Sequence, residues 1–362
     1  PDPDEIVAPN MPTSARGKGK DATEHRDKNV QPLFPFPACV ARPVGKAEIN
    51  REPKAQAALK KEWDRLKERN VWDVDPKAVR EWSRVASEAR ASGNEAHMGM
   101  LFEICVEKGS ELAPELRKYK GRVVFQGNNV KNQDWEAAMF QDLGSSPASM
   151  EAGKAADIFG CMPGNDVEQA DAEQAYVQAP MKSPATTWVL LPKSQWPKEW
   201  EGMHRPVVPM LKALYGHPDS GTYWEKHCDA HCQSIGFEPV TGWPSCYYMK
   251  RLDLFMTIYV DDFKLAGPKG NLAEGWRLIR GNATPEGGKG LIMEDPTPLG
   301  QYLGCNHIQK EITLPNGTKA RAVEYDMEDF LESCVARYVD LATEIQGVAP
   351  KIRAVATPFL EE

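Results

Sequence analysis

The sequence predicts an α+β fold, on two observations. Helical apolar spacing occurs near both ends of the 362-residue chain, over 54–70 and 326–345. Between them lie short apolar runs of strand length, several joined by tight turn signals, as in antiparallel hairpins. With 41% hydrophobic and 27% charged residues, the composition excludes collagen-like, coiled-coil and wholly disordered chains. No stretch reaches 18 uninterrupted apolar residues, so no membrane span is expected. The length suits two or three domains, or one large domain with subdomains.

Taken in order, residues 1–50 are rich in Pro, Lys, Arg and Asp. Their apolar side chains fall mainly in Leu33-Phe34-Pro35-Phe36-Pro37, and they predict a disordered or extended leader. The chain does not begin with Met and carries no signal-peptide pattern, so it reads as cut from something longer. Ala58, Trp63 and Leu66 predict a helix over 54–70 that stops at Asn70. Val79, Trp82, Val85, Ala86 and Ala89 predict a second over 76–93, with Pro76 in its first turn and Gly93 at its end. From Met98 the period changes. Met100–Val106 and Arg122–Phe125, across the turn Lys108-Gly109-Ser110, read as a hairpin. Lys and Arg at 117, 118, 120, 122 and 131 outnumber Glu111 and Glu115 in this region, although the whole chain has a net charge of −8. That excess marks either a solvated face or an anion-binding strand.

Further on, 148–160 predicts a helix, Val167–Asp171 a strand end, Trp188–Leu191 a strand, Val207–Tyr215 an apolar run and Thr222–Gly236 a helix. Tyr247–Lys250, Leu254–Val260 and Phe263–Ala266 are strand candidates. Met327, Phe330, Leu331, Cys334, Tyr338, Leu341 and Ile345 predict an amphipathic helix over 326–345, closed by Gly347.

The chemistry concentrates at Asp261-Asp262, between two apolar strands. Asp is a poor strand interior but a natural hairpin tip. Adjacent carboxylates repel and raise each other's pKa unless a cation sits beside them. Magnesium, a hard ion bound through carboxylates and substrate phosphates, removes the conflict, and two such ions can serve an in-line phosphoryl displacement. A third carboxylate has to come from elsewhere; Asp171 is the candidate, with Asp166, Glu168 and Glu173 as competitors. His227, Cys228, His231 and Cys232 could ligate zinc, but adjacent ligands on one helix cannot all converge on one tetrahedral ion. The Gly281–Gly290 stretch lacks Gly-Lys followed by Ser or Thr and reads as a loop. Eight cysteines without a signal peptide read as reduced intracellular thiols.

Tyr259-Val-Asp-Asp262, preceded by Asp171-x-x-x-Ala-Tyr176, resembles the palm of reverse transcriptases, and most closely that of copia-type retrotransposon polymerases. Ala57-Ala58-Leu59 through Trp63, with Asn70-Val71-Trp72, looks like the opening helix and tryptophan of that domain. Lys120-Gly-Arg122-Val-Val resembles its basic fingers strand, Leu214-Tyr215-Gly216 with Tyr223-Trp224 its Leu-Tyr-Gly…Trp segment, and Tyr302-Leu303-Gly304 its Phe-Leu-Gly. The closing helix and Ala356-Thr357-Pro358 look like its thumb. The resemblance runs from about 54 to 358.

The resemblance implies a fingers/palm/thumb polymerase with a mainly antiparallel palm sheet packed on helices: fingers over 51–165 with a helical insertion at 76–93, palm over 166–310, and a thumb-like helical segment over 311–362. It implies RNA-directed DNA synthesis with two Mg2+ ions, which Mn2+ can replace, held by the catalytic carboxylates Asp171, Asp261 and Asp262. Lys120 and Arg122 would hold the triphosphate, Ala172 would offer its carbonyl, Tyr176 would gate the ribose 2′-hydroxyl and Gly216 would let backbone approach the nucleotide. A core aromatic is the other reading of Tyr176. The implied partners are an RNA or DNA template with primer and deoxynucleoside triphosphates. Ribonuclease H and integrase regions of the same polyprotein are expected outside this sequence. The implied location is a cytoplasmic retroelement particle, or the nucleus. One departure stands out: His217-Pro218-Asp219-Ser220 replaces a family segment that carries two cations, and it adds an anion. Two non-enzymatic alternatives are a degenerate remnant that keeps the fold and binds nucleic acid without polymerising, and a zinc-stabilised interaction protein.

Overall fold

The computed structural model describes residues 41–352 apart from 74, 76, 110–114, 141–144, 184 and 285–287. The first part of the chain forms β1 (Ala41–Pro43), α1 (Lys46–Ile49), α2 (Pro53–Glu68), β2 (Arg80–Glu81), α3 (Trp82–Ser92), β3 (Ala96–Lys108), β4 (Lys118–Phe125) and β5 (Lys131–Asn132). Residues 41–50 are therefore folded, not leader: β1 pairs with the far end of β3, and Arg42 bonds both Glu48 and Glu107. The rest of the expected leader lies outside the described residues.

In α2, Ala55, Leu59, Trp63 and Leu66 are buried at spacings of four, four and three, the apolar stripe of a surface helix. Pro53 opens it, and Glu52 accepts the Lys54 N–H. Its stripe lies on β4 so closely that a Cβ on Gly121 would come within 2.8 Å of the Leu59 Cα. The second helix is shorter than its apolar spacing suggested. Arg80 and Glu81 pair with a strand instead, so α3 begins at Trp82; it ends where expected, at left-handed Gly93.

Next come α4 (Met150–Cys161), β6 (Asn165–Asp171), α5 (Ala175–Gln178), β7 (Thr186–Leu190), β8 (Pro206–Pro209), α6 (Ser220–Ser234), β9 (Glu238–Pro239), β10 (Cys246–Met249), β11 (Leu254–Tyr259), β12 (Asp262–Pro268) and α7 (Lys269–Arg280). The chain continues through β13 (Thr297–Pro298), β14 (Gln301–Tyr302), β15 (Cys305–Thr313), β16 (Lys319–Asp326) and α8 (Glu328–Gln346). The 311–362 segment is thus not helical from its start: β15 and β16 form a long hairpin turning at Asn316-Gly317, and the helix begins at Glu328. Thr357-Pro358 lies outside the described residues.

Three sheets result. The seven-stranded sheet has the order β1-β3-β7-β8-β2, with β4 and β5 also on β3; its β3–β7 pair is parallel. The six-stranded sheet, β13-β6-β12-β11-β10-β9, is antiparallel throughout. The third is β14-β15-β16. The α+β class with mostly antiparallel sheets holds. In the six-stranded sheet, Leu254, Met256, Ile258, Phe263 and Leu265 point to one face and pack with Trp224 and Cys228 of α6 and Leu272 and Trp276 of α7. Ala266 and Val167 point to the other face, against Ala156 of α4. This two-sided support fixes β6 and β12, which carry Asp171 and Asp262, and β11, which leads into the turn that carries Asp261.

Candidate active site

Strands β11 and β12 turn through two residues, since Tyr259 pairs with Asp262. The first turn residue, Val260, has φ +59°, a left-handed conformation that a β-branched side chain rarely takes. Packing imposes it: the buried Trp224 donates its indole N–H to the Val260 carbonyl at 2.6 Å. Strain held by surrounding structure is common where a tip must aim side chains. Here it sets Asp261 and Asp262 at the sheet end.

Asp171 ends β6 directly across from Asp262, and the Ala172 N–H donates to the Asp261 carbonyl at 2.7 Å. Two segments ninety positions apart in sequence therefore bring three carboxylates to one place. The electrostatics reflects the crowding. Burial, then the charges of Asp171 and Asp261, push the Asp262 carboxyl up to about 7, and a hydrogen bond to Asp171 adds to the shift. Among the described residues no three acidic, His or Cys side chains are drawn tightly enough to enclose an ion. The donor set is nonetheless oxygen-only and overcharged, which suits a hard divalent cation.

A basic wall faces these acids. The Arg122 guanidinium lies 5.2 Å from the Tyr215 ring centroid, and Tyr215 meets Tyr176 edge-on at 4.6 Å. Burial, and then the nearby charge of Asp261, raise both phenols, Tyr215 to about 12. Tyr176 is thus partly buried, packed on Tyr215 and within the field of Asp261. Lys120 lies within the field of Asp261, although burial and the cations Lys108 and Arg122 lower its pKa. Sequence reasoning missed Glu62 on α2. Burial raises its carboxyl against the pull of Arg65, Lys120 and Arg122, and Gln174 donates to it at 3.4 Å. Only its position one turn from the opening Leu59 hinted at this.

Two expectations read differently in three dimensions. Gly216 has φ +87°, and a Cβ there would lie 2.2 Å from the Phe125 carbonyl oxygen; close chain packing against β4 accounts for this glycine. The His217-Pro218-Asp219 segment adds no exposed anion beside the carboxylates. His217 and Asp219 are both buried, Tyr223 donates to Asp219 at 3.5 Å, and burial pushes His217 down to about 3, so it is a neutral ring packed on Phe125 and Phe140. Elsewhere on α6, Cys228 and Cys232 face the core, and a His231 ring nitrogen contacts the Ile279 carbonyl oxygen at 2.8 Å.

Among the described residues no helix is long and apolar enough to cross a membrane. No family model matches the chain, and no curated protein matches it.

Proposed function

We propose that this chain is an RNA-directed DNA polymerase of the copia retrotransposon type, built as fingers, palm and thumb. In this reading the six-stranded sheet is the palm, the β3–β4 hairpin on α2 belongs to the fingers and α8 is thumb-like. One observation carries the proposal: Asp171 and Asp262 are cross-strand partners with Asp261 at the adjoining turn, opposite Lys120, Arg122 and Tyr176.

Asp171, Asp261 and Asp262 would hold two magnesium ions, which supply charge neutralisation and lower the pKa of the attacking hydroxyl. Everything else falls to the protein. Lys120 gives the triphosphate a point charge, and Arg122 a planar fork. Tyr176, braced on Tyr215, closes the sugar pocket. Burial and the neighbouring Asp171 push the Asp262 carboxyl up to about 7, and a cation held by these carboxylates would favour its charged form. Duplex contacts go to phosphates, because a polymerase must accept any sequence.

Primer extension on an RNA template with Mg2+ tests the proposal. Asp261→Asn should reduce extension by at least about a thousandfold, since electrostatic stabilisation is the main term in phosphoryl transfer, while circular dichroism stays unchanged. Equal extension by both proteins removes the assignment. A parent that binds primer–template yet never extends it is the remnant instead.

A further inference from the structure

Between Asp171 and Tyr176 the chain leaves β6, passes through Gln174 at φ +50° and enters α5, a single turn. One turn is too short to hold itself. The segment is held from outside, by the strand-like stretch 291–294: Glu294 N–H donates to the Asp171 carbonyl and Glu173 N–H to the Ile292 carbonyl, both at 2.9 Å. Backbone pairing to that stretch stops at Glu173, and backbone pairing to another segment resumes only past Tyr176, where the Ala179 carbonyl accepts the Ala213 N–H at 3.0 Å.

Gln178 continues it with a side chain. A primary amide offers two donors and one acceptor side, and here both functions are used. Its Nε2 donates to the Glu173 carbonyl and to the Ile292 carbonyl, each at 2.9 Å; its Oε1 accepts the Ile292 N–H at 2.9 Å. Tyr176 therefore lies between two fastened points, Glu173 and Gln178. From the opposite side the buried Arg69 donates to the same Glu173 carbonyl at 3.3 Å.

We infer that Gln178 is a positioning residue, whose three amide bonds lock the Asp171–Tyr176 segment to residue 292 and so hold the Tyr176 ring beside the carboxylates. Its consequence for nucleotide selection rests on the polymerase reading above; the locking itself does not. No charged or apolar side chain of that size offers the same bonds. Gln178→Leu loses all three, and Gln178→Glu keeps only the acceptor for Ile292.

The test is amide hydrogen exchange on the full chain, with peptides over 171–178 compared against α4 peptides over 150–161. Gln178→Leu should speed exchange in the first at least tenfold and leave the second unchanged, with Gln178→Glu between. Unchanged exchange over 171–178 overturns the inference whether or not the protein extends primers. Should Gln178→Leu fail to fold, Gln178→Glu alone decides, its predicted acceleration being at least threefold. In primer extension the Leu variant should also lose at least tenfold of the deoxy-over-ribo preference, a ratio that simple destabilisation of the folded population would not move. Faster exchange with an unaltered sugar preference would overturn the placement of Tyr176 and leave the polymerase reading standing. Absence of extension by the parent would remove that reading and leave the lock.

Discussion

At the residue scale the two strongest statements concern Asp262 and Tyr176. Burial and the neighbouring Asp171 and Asp261 push the Asp262 carboxyl up to about 7 from 3.8 for an ordinary aspartate, so folding binds its proton more tightly. The unfolded chain gives up that proton near pH 4, the folded chain near 7. The penalty is thus absent below pH 4, grows between 4 and 7 and is complete above 7. Asp262→Asn should stabilise the ion-free protein by roughly 1–2 kcal/mol at pH 8, after discounting for the solvent the group still sees, and by almost nothing at pH 4. Denaturant midpoints at the two pH values check this; a gain at pH 4 as large as at pH 8 refutes it. Tyr176 makes a separate prediction. Its ring rests on Tyr215, so Tyr176→Ala opens space beside the acids without removing a charge. Ribonucleotide incorporation should rise at least tenfold, read by alkali-sensitive product; an unaltered sugar preference would return Tyr176 to the status of a core aromatic.

At the element scale the contact of α2 with β4 joins the basic wall to the rest. The approach at Gly121 leaves no room for a methyl group, because the nearest atoms are helix backbone rather than flexible side chain. Gly121→Ala should cost about 2–3 kcal/mol through overpacking and shift Lys120 and Arg122, which on the polymerase proposal raises the KM for nucleotide more than it lowers kcat. Stability equal to the parent's would mean that α2 is free to move. This contact also shows where sequence reading runs out. The α2 stripe, the β11–β12 hairpin and the Gly93 and Gly347 stops were legible, because periodicity and left-handed caps are local. Asp171 was distinguishable from Asp166, Glu168 and Glu173 only through the resemblance, since only the β6–β12 register sets it opposite Asp262. Helix α7 has Leu272, Trp276 and Ile279 at helical spacing and was legible but passed over. The β15–β16 hairpin was harder: most of its residues are exposed, so no alternating burial showed in the sequence, and Asn316-Gly317 was the one strong signal. Gln178 and Glu62 act through partners more than a hundred positions away, beyond any local pattern.

At the scale of the whole molecule, the question is what fastens the three-stranded sheet to the carboxylate-bearing one. A cavity of about 630 Å³ is lined jointly by α4, β11–β12 and β14–β16. Polar contacts of Tyr302, Tyr325 and Arg321 reach from the three-stranded sheet to a buried ion pair and the end of α4 on the other side. The Lys264 ammonium, on the strand that carries Asp262, donates to Asp157 of α4 at 2.7 Å and lies 4.3 Å from the Tyr302 ring centroid. Tyr325 of β16 donates to the other Asp157 oxygen at 2.9 Å. Arg321 of β16 donates to carbonyls at the end of α4, including those of Gly160 and Cys161. Lys264 and Asp157 are both almost wholly buried, so each depends on the other to offset its desolvation. Lys264→Met leaves a buried carboxylate that has lost its cation and keeps the Tyr325 hydroxyl, and should cost about 3–5 kcal/mol. Burial lowers the Lys264 pKa against the pull of Asp157, so desolvation offsets part of the pair's attraction. It follows that the double variant Lys264→Met/Asp157→Leu should recover most of the stability, despite keeping neither charge. Urea unfolding of the two singles and the double measures the coupling directly. A double variant no more stable than Lys264→Met would mean that the ion pair itself, rather than the avoidance of a lone charge, holds α4 on β12.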